Sequence, residues 1–198
     1  MTLPAPFTLP HKPRQVLLFS GHMIDSPDRA EPRFPACLEH AAARRIEDAL
    51  DTLGAGTSDI ALTQGAAGGD LLFAEACIRR GVPLQLLLPL PEAQFIEQSI
   101  LPSVDGERWR QRFLVLKASL AWPPQALESA DRASDGDPFE RCNLWLLTTA
   151  LACGADALRL ICLWNGNGGD APGGTAHMVR EVKRRNGEVI WIDTRTLQ

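Results

Sequence analysis

The chain has no surplus of positive charge: 20 lysines and arginines stand against 24 aspartates and glutamates, for a formal net charge of −4 and a pI near 5.6. General affinity for nucleic acid rests on clustered cations that displace phosphate counterions, so this balance argues against a nucleic-acid partner. Paired cysteines are missing too. Cys37, Cys77, Cys142, Cys153 and Cys162 are odd in number, widely spaced and set in apolar stretches. That pattern fits neither a zinc site nor an extracellular disulfide frame, and reads as reduced core cysteines of a cytoplasmic protein. No metal and no cofactor is expected. Residues 1–14 hold four prolines and no continuous apolar segment, so they read as an extended arm and not as a secretory signal. The apolar stretch 144–163 is interrupted by Gly154, Asp156 and Arg159. It reads as a buried helix followed by a buried strand, with no membrane span. There is no internal repeat and no low-complexity tract.

What is present is enough apolar residue, 45% of 198 positions, to enclose one core, so residues 15–198 are expected to form a single domain. Apolar runs alternate with helical patterns. Strands are expected at Gln15–Ser20, Ile60–Thr63, Leu84–Leu88, Ala157–Trp164 and Val189–Ile192. Helices are expected at Cys37–Leu53, Leu71–Arg80, Glu92–Ile100, Glu107–Ser119, Pro138–Cys153 and Thr175–Asn186. Asp137-Pro138 suits a helix start, because Asp caps free amides and proline is tolerated at the first helical position. Residues 122–137, rich in Pro, Ser, Asp and Ala, read as a surface loop and a candidate lid. The strands are apolar throughout and not two-sided, which predicts an α/β fold of Rossmann-like, doubly wound type. Its mainly parallel sheet would have five or more strands and helices on both faces.

Three loops follow predicted strands and so emerge on one edge of a parallel sheet, where open α/β folds bind ligands. They are Ser20-Gly21-His22-Met23, the turn Gln64–Asp70, and Asn165–Thr175. Glycines Gly65, Gly68, Gly69, Gly173 and Gly174 let backbone approach a ligand, and the amides at the start of the following helix attract an anion. A phosphate-bearing ligand is therefore expected, with Thr175 adding a hydroxyl beside Gly173 and Gly174. The opposing reading is that the glycines of the Gln64–Asp70 turn serve tight packing of helix on strand. Asp70 suits a ribose hydroxyl better than a phosphate, and helix-start stabilisation alone also accounts for it. His22 can donate to a phosphate or hold a structural contact. Arg29 and Arg33 can close over a phosphate as bidentate donors. Asn143 can hydrogen-bond a base and Trp164 can stack on one. Glu75/Arg79 and Glu181/Arg185 have the spacing of ion pairs on an exposed helix face. Neither glycine loop has the G-x-G start of a dinucleotide fold or the G-K-[ST] end of a P-loop.

The order Thr63-Gln64-Gly65-Ala66-Ala67-Gly68-Gly69-Asp70, then Leu84–Leu88 and Pro89, then Gly173-Gly174-Thr175 before a helix, resembles the SLOG superfamily. That superfamily joins the DNA-processing Smf proteins to the Lonely-guy phosphoribohydrolases. The opening Phe19-Ser20-Gly21-His22-Met23-Ile24-Asp25, with Arg29, Arg33 and Phe34-Pro35, resembles a bacterial subgroup found alone or beside signalling domains. The resemblance covers most of residues 15–193. It implies a nucleotide or nucleotide-derived ligand, ADP-ribose-like or a nucleoside phosphate, with phosphate at Gly173–Thr175 and ribose near Gly65–Asp70. The hydrolase branch carries a glutamate close after its G-G-x-G-T loop, whereas here Ala176, His177 and Met178 follow Thr175 and the next acid is Glu181. The expectation is therefore a ligand-sensing module. The alternative is a nucleoside-5′-monophosphate phosphoribohydrolase with Asp70 or Glu75 as the carboxylate that supports cleavage of the N-glycosidic bond. Pairing of copies through the helices of Glu92–Leu120 would make it a homodimer.

Overall fold

The first strand, β1 (Gln15–Gly21), lies near the middle of a six-stranded sheet in which every neighbouring pair is parallel. The computed structural model describes residues 12–127, 137–154, 157–168 and 174–198. Most of the arm expected at 1–14 lies outside these residues, but its end is anchored: Arg14 pairs with the buried carboxylate of Asp59 at 2.8 Å.

From β1 the chain crosses through α1 (Glu39–Thr52) to β2 (Ile60–Thr63), through α2 (Gly69–Arg79) to β3 (Leu84–Leu88), and through α3 (Glu92–Ser99) and α4 (Gly106–Ser119) to β4 (Gln125–Ala126). It then returns past β1, through α5 (Pro138–Ala152), to β5 (Ala157–Leu163), and ends through α6 (Thr175–Arg184) at β6 (Glu188–Ile192). The strand order is β4-β3-β2-β1-β5-β6. Direction of winding reverses between β1 and β5, so the crevice at their carboxyl ends is the switch point of the sheet.

Each of β1, β2, β3, β5 and β6 feeds two cores, as apolar strands must when both faces are covered. Leu17 and Phe19 of β1 pack with α1, α2 and the Trp109 and Phe113 side chains of α4 on one face, and Val16 and Leu18 pack with Trp145 of α5 and Met178 of α6 on the other. The doubly wound Rossmann-like arrangement is as the apolar runs imply. The sixth strand, β4, is a difference. It sits at the edge, inside the segment read as a loop, and its two residues pair only with Leu87 and Leu88, too short a run to produce a strand pattern. Residues 128–136, the bulk of the candidate lid, lie outside the described residues.

Local rules set several boundaries. Asp137 accepts a hydrogen bond from the Phe139 amide at 2.7 Å and Pro138 follows it, so α5 starts where the Asp-Pro pair predicts. Among the described residues no helix is long and apolar enough to cross a membrane. The five cysteines are free; Cys77, Cys142 and Cys162 are buried, while Cys37 is exposed and so departs from the core role expected of it. Glu181 pairs with Arg185 at 2.6 Å as its spacing suggests. Glu75 and Arg79 do not pair with each other: Arg79 reaches Glu47 on α1, and Glu75 is held by Arg112 on α4.

Candidate functional site

At the switch point a cavity of about 290 Å³ opens between the carboxyl end of β1, the β2–α2 turn, the first turns of α5 and the start of α6. Its size is at the lower edge of the roughly 300–1,000 Å³ usual for small-ligand sites. The cavity has two chemically different ends.

At one end Gly174 and Thr175 begin α6, and Ser20 and Gly21 end β1. The hydroxyls of Ser20 and Thr175 are 3.2 Å apart. Gly174 provides no side-chain cap, and the amides of Thr175 and Ala176 make no hydrogen bond among the described residues. A helix start whose amides meet no acceptor among the described residues, with two hydroxyls beside it, has the donors that an anion requires. Gly21 is needed for space: a Cβ there would come within 2.8 Å of the Phe19 ring and 3.0 Å of Leu163.

At the other end the β2–α2 turn contributes a carboxylate. Asp70, on the first turn of α2, accepts from the amides of Gly65 at 3.1 Å and Ala66 at 3.4 Å. Burial pushes its pKa up to about 6, although those amides favour the charged form. Two further amides of the turn are also engaged, Ala67 by the Ser99 carbonyl at 2.9 Å and Gly69 by the His22 carbonyl at 3.2 Å. Gly68 has a φ of +102°, and a Cβ on it would lie 2.5 Å from the Ile24 nitrogen, because this turn presses against residues 22–24 of the β1–α1 loop. The glycines Gly65, Gly68 and Gly69 thus lie behind the cavity, and their tight packing is seen directly.

The other sequence candidates divide clearly. Asn143, on α5, lines the cavity and accepts from the Gln64 side chain at 2.8 Å, which ties α5 to the β2–α2 turn. His22 is buried outside the lining. It contacts the Asn165 side chain at 3.1 Å, and burial lowers its pKa, so it is a neutral tie between the first and third loops. Arg29 and Arg33 lie on the β1–α1 loop outside the lining. Arg29 pairs with Asp25 at 3.0 Å, and Asp25 also accepts from the amides of Arg33 and Phe34 at 2.9 Å each. Trp164 follows β5 and donates to the Asn167 carbonyl at 3.1 Å. Glu75 is outside the cavity, bound in bidentate fashion by Arg112 at 2.6 and 2.8 Å. Gly173 lies outside the described residues.

Sequence reasoning missed Ser99, Phe139 and Glu140, which line the cavity, and it named Ser20 and Gln64 only as members of their loops without assigning them a role. The position of Ser20 at a strand's carboxyl end was a usable signal. Glu140 passes for a helix-start acid, and Ser99 reaches the site only through the packing of α3 on the β2–α2 turn. The Ser99 hydroxyl is buried with no hydrogen-bond partner among the described residues. The lining contains three acids, Asp70, Asp137 and Glu140, and no lysine, arginine or histidine among the described residues. No cluster there could hold a metal ion, within the same residues.

The fold and this cavity define a Rossmann-like α/β protein with a polar crevice at its switch point. No family model matches the chain, and no curated protein matches it. Among solved structures it is similar to the Moco carrier protein of Chlamydomonas reinhardtii, at 16% identity and a TM-score of 0.41, over 92% of this chain and 76% of that one. It is also similar to DNA processing protein A of Streptococcus pneumoniae, at 9% identity and a TM-score of 0.36, over 94% and 62% of the two chains. A third is SuiB of Streptococcus suis bound to S-adenosylmethionine, at 9% identity and a TM-score of 0.28, over 90% and 47%. Likenesses at this level assign neither a family nor a ligand to the chain.

Proposed function

We propose that the protein is a SLOG-like module that binds a nucleotide or nucleotide-derived ligand in the switch-point cavity and serves as a sensor in signalling. The observation that carries this reading is the division of the cavity. Unmet amides and paired hydroxyls at Gly174, Thr175 and Ser20 suit a phosphate. The Asp70 carboxylate on the opposite wall suits the hydroxyls of a ribose, since a carboxylate accepts hydrogen bonds from an alcohol and repels an anion. The affinity comes from these groups, with Asn143 and Phe139 facing the base.

Incubating the full chain with AMP, GMP, NAD, ADP-ribose and cyclic nucleotides, and following complexes and products by native mass spectrometry, tests the reading. Retention of one intact ligand, lost in Gly174→Glu, is the expected result. No retention of any of these ligands would sink it.

One observation favours a second reading, cleavage of an N-glycosidic bond: Asp70 is a buried acid in the cavity whose pKa of about 6 is near that useful for proton transfer. Release of free base, abolished by Asp70→Asn, would establish that activity. Glu75, tied to Arg112 outside the cavity, is not part of it.

A further inference from the structure

The cavity has a distribution of charge that an ordinary adenine or guanine nucleotide leaves unanswered. Of its three carboxylates, Asp137 caps α5 through the Phe139 amide and Asp70 holds the amides of the β2–α2 turn. Glu140 has no hydrogen bond and no ion pair among the described residues, although it is half-buried and lines the cavity, as its chain neighbour Phe139 does. No lysine, arginine or histidine of the described lining offsets it. Ser99, whose hydroxyl is wholly buried and has no partner among the described residues, also belongs to the cavity wall. Buried polar groups are almost always paired in a folded protein, so a bound polar molecule is a natural partner for Ser99, and a cation is one for the unpaired carboxylate of Glu140.

With the anionic end of the ligand at the start of α6, the remainder has Asp70, Phe139, Glu140 and Asn143 among the walls left to it. We infer that the heterocycle of the ligand carries a fixed positive charge, as an N-ribosylated pyridinium does, and that Glu140 recognises that charge while Phe139 faces the ring. This rests on the nucleotide reading above and narrows it to one class of base. A cation beside an unpaired carboxylate in a partly desolvated cavity is attracted more strongly than in water, and a neutral ring of the same shape leaves Glu140 unpaired.

Nicotinamide mononucleotide and its reduced dihydropyridine form provide a matched pair, equal in phosphate, ribose and ring outline and different by one positive charge. Titration calorimetry of the full chain with each, and with AMP, is the test. The oxidised form is expected to bind about tenfold more tightly than the reduced form, as one modest charge contact implies. In Glu140→Gln the two are expected to fall within about twofold of each other. Glu140→Asp, which keeps the charge, retains the preference, and Glu140→Ala, which removes it, replaces the Gln variant if that fails to fold. Equal affinities in the natural chain, or a preference that survives Glu140→Gln, overturns the assignment of charge recognition to Glu140. Binding of AMP with neither nicotinamide form bound overturns the cationic base and leaves the nucleotide reading standing. Absence of binding by any nucleotide overturns both.

Discussion

The β2–α2 turn and the β5–α6 turn have the same outline in sequence: strand, glycines, helix. They differ in what becomes of their amides. In the first, Gly65 and Ala66 donate to Asp70, Ala67 to Ser99 and Gly69 to His22, so the protein itself occupies the anion site with its own carboxylate and carbonyls. In the second, the amides of Thr175 and Ala176 meet no acceptor among the described residues, and Gly174 and Thr175 line the cavity. A glycine turn before a helix is closed to an outside anion when its own carboxylate folds back on the amides, as Asp70 does in the first.

Gly68→Ala should break the first turn as structure. Its φ of +102° and the 2.5 Å approach of a Cβ to the Ile24 nitrogen leave no room to relax, because the neighbour is backbone. A loss of on the order of 3 kcal/mol or more is expected in urea unfolding. Wild-type stability would show that the contact between the two loops is not needed. Gly174→Asp should convert the second turn into a copy of the first. An aspartate at the N-cap reaches the first amides of α6, which meet no acceptor among the described residues, so stability should hold or rise by a few tenths of a kcal/mol. Nucleotide affinity should fall at least a hundredfold, about 2.7 kcal/mol, because the anion site is filled and carries a like charge. Intact affinity in that variant would remove the α6 start from the site.

The sheet, its parallel pairing and most of the helices were legible because apolar runs of four to seven residues, separated by glycine, proline and capping residues, are dictated by burial on both faces. The location of the cavity followed from the same alternation, since loops after parallel strands share an edge. The difference between the two glycine turns was not legible. It depends on the side-chain direction of Asp70 and on the press of residues 22–24 against Gly68, which are products of tertiary packing. For the same reason Glu75, a plausible acid by spacing, turns to Arg112. Ser99, an unremarked helix-end serine, lines the site. The end of α6 shows the same limit. Asn186 takes the positive φ after α6, while a Cβ on Gly187 would meet Val182 at 2.6 Å.

Asp70 sharpens the comparison through pH. Its pKa of about 6 in the folded protein exceeds the 3.8 of an ordinary aspartate because burial penalises its charge. Between about pH 4 and pH 6 the folded state holds a proton that the unfolded chain has released, so this group's contribution to stability falls as pH rises through that window. Above it the cost levels off at about 2 to 3 kcal/mol. Denaturant unfolding at a series of pH values should give a shallower fall for Asp70→Asn than for the natural chain, the difference being confined to that window. Parallel profiles would mean that Asp70 is not buried as an acid.

The smallest effect separates structure from chemistry at a residue which sequence alone made a catalytic candidate. Glu75 lies at 24% side-chain exposure against Arg112, which also reaches Glu39 at 2.6 Å and lies over the Trp109 ring at 4.1 Å. Removing its charge in Glu75→Gln leaves Arg112 with Glu39 and the ring, so the cluster keeps most of its contacts. A partly exposed ion pair of this kind is worth about 0.5 to 1 kcal/mol after screening. Unfolding of Glu75→Gln should show a loss of that size, and its nucleotide affinity, and any release of free base, should stay within about twofold of the natural chain. A larger loss of either in a folded variant would mean that α2 reaches the ligand from its outer face as well as through Asp70, and the contrast between the two turns would then need a third contributor.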